Sequence, residues 1–324
     1  MPLLHETTAE TGTEESATMR AAIYDRYTSD NTDVHVTDLP KPKVFPGSVL
    51  IEVRAAGVNP VDWKAMAGGL DALIDAQFPV IPGWDVAGVV VETGIDTPEF
   101  AVGDEVLAYA RKDVLHAGTF AELVAVEAAH VARKPDVLTW EQAGALPLAG
   151  GTALRTLDLL EVGADDTVLI HAAAGGVGSL GVQIAKARGA RVFGTASPNN
   201  HDFLRELGAE PLTYGDGLAE RVRDLAPEGV QVVADFVGGQ LDVTLAVLAE
   251  DGRHASIVDD TVTEHGGLLV WVRPDGSHTQ RLADLAAAGE LTVPIARTFT
   301  LDEIPQAFAA GQSGHTRGKN VIVP

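Results

Sequence analysis

His171-Ala172-Ala173-Ala174-Gly175-Gly176-Val177-Gly178 decides how this chain is organised. A buried strand is expected just before it, over Thr167–His171, and an amphipathic helix just after it, over 178–188, closed by Gly189. Against the pattern G-x-G-x-x-G the key positions are Ala173, Gly175 and Gly178, so Ala stands for the first Gly. The physics survives that change. Gly175 has no Cβ, so backbone can approach a pyrophosphate, and Gly178 lets the helix pack closely on the strand. The helix N-terminus offers free N–H groups and the positive end of its dipole to phosphates. Ala174, Gly175, Gly176 and Val177 are therefore the candidate phosphate-binding residues.

Outward from this loop, strands and helices alternate. Further strands are expected at 191–195, Val230–Asp235 and 253–258, and helices at 201–207 and 241–248. Repeated β-α-β units with short connections imply an α/β, doubly wound domain with a parallel sheet. The strand at 191–195 bears on the choice of nicotinamide cofactor. An NAD site usually places an acid at its end, to bind the ribose 2′-OH. Here the strand runs into Phe193-Gly194-Thr195-Ala196-Ser197, with no acid before Asp202. Ser197, Asn199 and Asn200 can donate hydrogen bonds to a 2′-phosphate, with Tyr214 in reach and His201 available if protonated. NADPH is favoured over NADH, although this loop contains no Arg or Lys.

Before this region the chain is mostly β. Strands are expected at 21–24, 34–37, 49–56, 86–92, 103–108 and 119–126, punctuated by Gly and Pro. A helix begins after Thr139, an N-cap with Gln142 at the capping-box position. After the alternating region come helices at 280–288 and 301–310, extended chain at 292–296 and a last strand at 321–323.

Composition narrows the class. The 324 residues are 46% hydrophobic but only 5% aromatic, which suits close helix–sheet packing. There is no cysteine, so disulfides, thiolate nucleophiles and Cys-containing zinc sites are excluded. That usage fits a cytoplasmic protein. The net charge of −23 opposes nucleic-acid and anionic-membrane partners, and reflects either solubility or adaptation to high salt. Residues 1–18 lack the basic start and apolar run of a signal peptide and are expected to be a disordered tail, with Met19-Arg20-Ala21-Ala22 resembling a second chain start. No run of 18 apolar residues exists, so no membrane insertion is expected.

Several motifs now act together. They are Ala56-Gly57-Val58-Asn59-Pro60-Val61-Asp62-Trp63-Lys64, Pro82-Gly83-Trp84-Asp85-Val86-Ala87-Gly88, Gly103-Asp104-Glu105-Val106, Gly118-Thr119-Phe120-Ala121-Glu122, Pro147-Leu148-Ala149-Gly150-Gly151-Thr152-Ala153, the loop above, and Gly314-His315-Thr316-Arg317-Gly318-Lys319. In this order, from about Met19 to Pro324, the chain resembles the medium-chain dehydrogenase/reductase superfamily, and within it the zinc-free quinone oxidoreductase branch. The resemblance implies a GroES-like, mostly-β catalytic domain over 19–141 and 274–324. A Rossmann NADP-binding domain over 142–273 is inserted between, and the active site is the cleft. Zinc-dependent relatives carry a Cys near the position of Asn59 and a His near that of Trp84, and this chain has neither. Zinc-independent hydride transfer from NADPH to a quinone or an α,β-unsaturated carbonyl is the implied activity.

The resemblance also implies site roles. Asn59 lines the nicotinamide–substrate cleft, or is simply a turn residue before Pro60. Lys64 hydrogen-bonds the substrate oxygen or gives it a proton, or is a surface lysine. Asp62 orders the loop between them, or is a solvated turn carboxylate. Trp63 and Trp84 wall a flat substrate or fill the core. Thr152, Val237, Gly238 and Val270 contact the cofactor, with Val270-Trp271-Val272 as an edge strand that pairs subunits in a homodimer. Arg317 and Lys319 approach the cofactor phosphates, or form a solvated basic loop. His171 is expected as a hydrogen-bonded structural residue. Two alternatives stay open: a tailoring reductase of a biosynthetic pathway on the same scaffold, and a non-catalytic NADPH-binding or redox-sensing protein.

Overall fold

The computed structural model describes residues 18–314 and 316–324, so the tail expected over 1–18 lies outside the described residues apart from Thr18, and so does His315. The first region opens with Thr18–Ile23 (β1), His35–Pro40 (β2) and Ser48–Gly57 (β3). Then follow Pro60–Met66 (α1), Ala76–Ile81 (β4), Asp85–Thr93 (β5), Glu105–Tyr109 (β6), Leu115–Ala117 (β7), Leu123–Glu127 (β8) and Val131–Arg133 (β9).

Helix α1 replaces the turn that Asn59-Pro60 suggested. Asn59 is its N-cap in a reciprocal capping box with Asp62, and Pro60 sits at the first helical position. The strand expected over 119–126 is shorter than its alternation implied. Thr119 and Phe120 bond backbone to backbone with Gly83 and Pro82, and only Leu123–Glu127 joins the sheet on β3. Gly103 takes φ +96°, a turn conformation, which delays β6 to Glu105.

Two helices lead onward, Trp140–Ala145 (α2) and Pro147–Leu159 (α3). The Thr139–Gln142 capping box at the start of α2 is present as expected. The parallel region then comprises Thr167–His171 (β10), Gly176–Ala187 (α4), Arg191–Ala196 (β11), His201–Glu206 (α5), Glu210–Thr213 (β12) and Leu218–Leu225 (α6). It continues with Val230–Asp235 (β13), Leu241–Val247 (α7), Leu248–Ser256 (β14) and Leu268–Leu269 (β15). The strand order is β12-β11-β10-β13-β14-β15, with every pairing parallel. This is the doubly wound Rossmann order, and its topological switch lies between β10 and β13. The central strands β10 and β13 read as largely apolar runs because both faces are covered. Val168 and Ile170 of β10 enter one core, while Leu169 between them enters another with Phe193 and Val233. The edge strand expected across Val270–Val272 is confined to β15. Val270 is buried, its N–H donating to Ser256 O at 2.9 Å, and the chain then leaves the sheet.

The C-terminal segment returns to the first region through Gly276–Ala287 (α8), Ile295–Phe299 (β16), Ile304–Gln312 (α9) and Lys319–Ile322 (β17). Strand β17 pairs antiparallel with β3, Val321 opposite Gly57 and Ile322 opposite Ala56. The sheet order there is β16-β17-β3-β5-β6-β9. This mostly-β unit is the GroES-like part of a two-domain fold. Among the described residues no helix is long and apolar enough to cross a membrane.

The two regions meet where α2 lies on β3, backbone against backbone. A Cβ on Gly144 would stand 2.6 Å from the Ala55 carbonyl oxygen, and one on Gly57 would stand 2.7 Å from the Gly144 carbonyl oxygen. Gly144→Ala is therefore expected to push α2 off β3 and to lower stability by about 1–3 kcal/mol, which urea unfolding will measure.

Candidate active site

Because β17 pairs with the end of β3, Lys319 is brought beside Asn59, 260 residues away in sequence. The Lys319 ammonium donates to the Val58 carbonyl at 2.9 Å and to Asn59 Oδ1. Asn59 Nδ2 in turn donates to Asp85 Oδ2 at 2.9 Å and, more weakly, to the Gly57 carbonyl at 3.3 Å. The other Asp85 oxygen accepts from the Leu148 N–H at 2.6 Å, just inside α3. The ammonium lies 4.0 Å from Asp85. Asp62 Oδ2 accepts from the Asn59 N–H at 2.8 Å, whereas its Oδ1 has no hydrogen-bond partner among the described residues. All four side chains are buried.

Burial sets their electrostatics. A charge removed from water is tolerated only when it is paired or neutralised. Burial pushes Asp62 up to about 8, against the opposing hydrogen bond from Asn59, and nearby Asp85 adds to the rise. Burial likewise raises Asp85 to about 6, held down in part by Lys319 and Asn59. Burial lowers Lys319 while the two carboxylates raise it. The result is one ammonium among two acids that resist ionising together.

Of the residues expected here, Asn59 and Asp62 stand in this cluster. Lys64 does not: it is exposed on α1, with no hydrogen-bond or ion-pair partner among the described residues. Lys319, expected at the phosphates, instead directs its ammonium to Asn59, and its stem passes under the phosphate loop. Trp63, half-buried, and Trp84, buried, both pack against the core of the mostly-β region, and Trp84 also lines a small cavity with Asp62. Trp63 packs on Phe308 and Gly311 of α9, and Trp84 is buried near Tyr109. Asp85 was given no role by sequence, although an acid opening a valine-rich strand was the available signal.

The phosphate loop sits at the C-terminal end of β10, at the switch point. Its glycines form a cradle that Cβ atoms would fill. A Cβ on Gly178 would lie 2.3 Å from the Ala172 carbonyl oxygen, and one on Gly176 2.8 Å from Lys319 Cδ. Ala172 itself takes φ +54°, strain of a kind that clusters at ligand sites. No side chain caps the N-terminus of α4. Ala174, Gly175, Gly176 and Val177 thus leave the helix end open to an anion, and the residues present fit a dinucleotide.

Around this loop, Ala196 of β11 pairs with Thr213 of β12, so Ser197 and Tyr214 leave the sheet side by side. Tyr214 is exposed, and Asn200 Nδ2 donates to Ser197 Oγ at 3.4 Å. Val237 is exposed beyond β13, and the N–H groups of Val237 and Gly238 both donate to Asp235 Oδ1 at 2.9 Å. Asp235 is therefore committed to shaping its own turn. Thr152 is buried on α3, its hydroxyl donating to the Leu148 carbonyl at 2.7 Å. His171 corrects its expectation: it is buried with neither ring nitrogen hydrogen-bonded, and burial lowers it to about 4.

Comparison with known proteins agrees with this architecture. Residues 45–136 match the alcohol dehydrogenase GroES-like domain family and residues 207–322 the zinc-binding dehydrogenase family. Among the described residues no three His, Cys, Asp or Glu side chains gather as a metal site. The chain is 34% identical over 314 residues to the chloroplastic NADPH-dependent alkenal/one oxidoreductase of Arabidopsis thaliana, covering 94% of this chain and 80% of that one. It is also 34% identical over 326 residues to the 2-methylene-furan-3-one reductase of Solanum lycopersicum, covering 98% and 82%. The solved quinone oxidoreductase of Coxiella burnetii superposes with a TM-score of 0.82 at 32% identity, covering 95% of this chain and all of that one. The chain belongs to the medium-chain dehydrogenase/reductase superfamily, among its quinone and alkenal oxidoreductases. It is an oxidoreductase built to use a nicotinamide cofactor.

The buried acids give a pH prediction. The folded chain keeps a proton on Asp62 up to about pH 8, whereas the unfolded chain loses it near its ordinary value of 3.8. Folding takes up a proton in that window, so stability from this group falls as pH rises from about 4 to about 8. Asp62→Asn keeps the acceptor for the Asn59 N–H but cannot ionise. Its stability relative to wild type should grow between pH 5 and pH 8 and then level off, as measured by urea unfolding at each pH.

Proposed function

We propose that this protein is a zinc-independent reductase that transfers hydride from NADPH to a quinone or an α,β-unsaturated carbonyl compound. The observation that carries this is the buried donor set between β3, β5 and β17: an amide, an ammonium and two acids that resist ionising together. Such groups hold geometry, whereas a catalytic zinc takes three protein donors from His, Cys and carboxylates. The names of the Arabidopsis, tomato and Coxiella relatives support the same substrate class.

A conjugated acceptor does not need a strong Lewis acid. Hydride adds to an already electrophilic carbon, and charge spreads to a distant oxygen. Bound at the phosphate loop, NADPH supplies that hydride. The chain supplies position and a proton. Asn59, Asp85 and Lys319 tie the end of β3 to α3 and β17, which fixes the wall of the cleft. They are positioning residues, with their polar atoms spent on one another. Asp62 holds the first turn of α1 through its capping box. Lys64, exposed on that helix, is the residue we assign to hydrogen-bond the developing oxyanion or protonate it. NADPH is preferred to NADH because no carboxylate follows β11 to repel a 2′-phosphate. Exposed Leu268, Leu269 and Trp271 at the free edge of the parallel sheet support a homodimer built there.

The test is NADPH oxidation by purified protein against quinones, enones and simple ketones, with and without a chelator. Turnover of quinones or enones that survives the chelator is expected, with simple ketones inert. Turnover confined to ketones and abolished by the chelator would overturn the proposal. Lys64→Ala should lower turnover by about a hundredfold and leave NADPH affinity unchanged, read by fluorescence titration.

A further inference from the structure

Helix α4 follows the phosphate loop and is fastened to the C-terminal segment at two points. The first is at its start, where the Gly318 N–H donates to the Ala174 carbonyl at 3.2 Å and the Lys319 stem packs on Gly176. The second is Gln183, about two turns further along the helix. Gln183 is buried, and both ends of its amide are engaged. Nε2 donates to the Ser179 carbonyl and to the Thr292 carbonyl, both at 2.9 Å. Oε1 accepts from the Thr292 N–H at 2.8 Å and from the Thr292 hydroxyl at 3.0 Å. The side chain meets both backbone groups of Thr292, as a paired strand would. An amide can do this because it carries a donor and an acceptor side by side.

Thr292 lies in the connection between α8 and β16. Its neighbours Leu291 and Val293 are buried in the same apolar core as Leu180 and Ile184 of α4. Just beyond, the Pro294 carbonyl accepts from the Lys319 N–H at 2.9 Å, so the segment clamped by Gln183 also holds the first residue of β17. Gly318 closes on the same carbonyl, and a Cβ there would stand 2.3 Å from its oxygen. A continuous path thus runs from the middle of α4 through Thr292 and Pro294 to Lys319, and on to Asn59. A helix pinned at one point can swing. A helix pinned at two points about 10 Å apart cannot.

We propose that Gln183 is a positioning residue for hydride transfer: by clamping Thr292 it fixes the angle of α4 to the β16–β17 pair, and with it the offset between the phosphate loop and the Lys319–Asn59–Asp85 cluster. The proposal rests on the reductase assignment above and adds a residue that acts through others. Such an offset matters because a misplacement of about 1 Å can cost about a hundredfold in rate.

Gln183→Met keeps the length of the side chain and loses these bonds. In a single turnover with NADPH and an enone it should slow hydride transfer about ten- to a hundredfold, with NADPH affinity unchanged by fluorescence titration. Gln183→Glu should add a pH dependence. Protonated, it keeps a donor and an acceptor for Thr292; ionised, it turns negative charge on the Ser179 and Thr292 carbonyls. Relative to wild type its rate should be near normal at acid pH and fall to that of Gln183→Met as pH rises. Amide hydrogen exchange of β17 in the cofactor-free protein reads the clamp without turnover, and should be faster in Gln183→Met. Gln231→Met is the control for lost stability, since Gln231 Oε1 also accepts from backbone, the Thr167 N–H at 2.9 Å, but on β13 toward β10. It should leave β17 exchange and the hydride-transfer rate unchanged. An unchanged rate in folded Gln183→Met, an equal loss in Gln231→Met, or unchanged β17 exchange would overturn the role of Gln183. A wild type that turns over no quinone or enone would instead overturn the reductase assignment, and β17 exchange would still decide whether Gln183 is the clamp.

Discussion

A buried ammonium has to be paired, and much of the cleft is arranged around that requirement. Lys319 reaches its place because β17 pairs with β3, and once there its charge needs Asn59, Val58 and Asp85. Asp85 then extends the same network to the backbone of α3. One polar chain thus links the N-terminal sheet, the C-terminal strand and the helix that leads into the parallel domain. Removing one partner would leave the others buried and unsatisfied, which costs far more than the net value of any single bond. The cluster is better understood as a device that fixes geometry than as a source of stability.

The same segment faces the cofactor. The Lys319 stem packs under Gly176, and Gly318 bonds to Ala174. The phosphate loop is therefore held by the GroES-like side as well as by its own strand. This ties the phosphate loop and the Asn59 cluster to a shared support at the topological switch of the sheet. The α2–β3 contact through Gly144 and Gly57 brings the backbones close enough for that support to be rigid.

Local signals were legible in the sequence where local physics determines them. The glycine loop between β10 and α4, the Thr139 capping box and the valine-rich β5 all stand as read. Helix α1 was hidden because it is only seven residues long, and its cap uses Asn59 and Asp62, a pair that also reads as a turn. Strand β12 was hidden by Pro211, which an edge strand tolerates and a central one does not. The candidate site was legible in part. Asn59 and Asp62 were named, and Lys319 was named for the phosphates, but the meeting of Asn59 with Asp85 and Lys319 joins distant strands, and no local pattern encodes it.

The chemistry proposed for this cleft is zinc-independent conjugate hydride addition. Its most direct test is to follow the label from NADPH deuterated at nicotinamide C4, using both stereoisomers and a short-chain α,β-unsaturated ketone in ordinary water. The account predicts that one stereoisomer delivers deuterium to the β-carbon, with a solvent proton at the α-carbon and the carbonyl intact. Deuterium on the carbonyl carbon, giving an allylic alcohol, would contradict it.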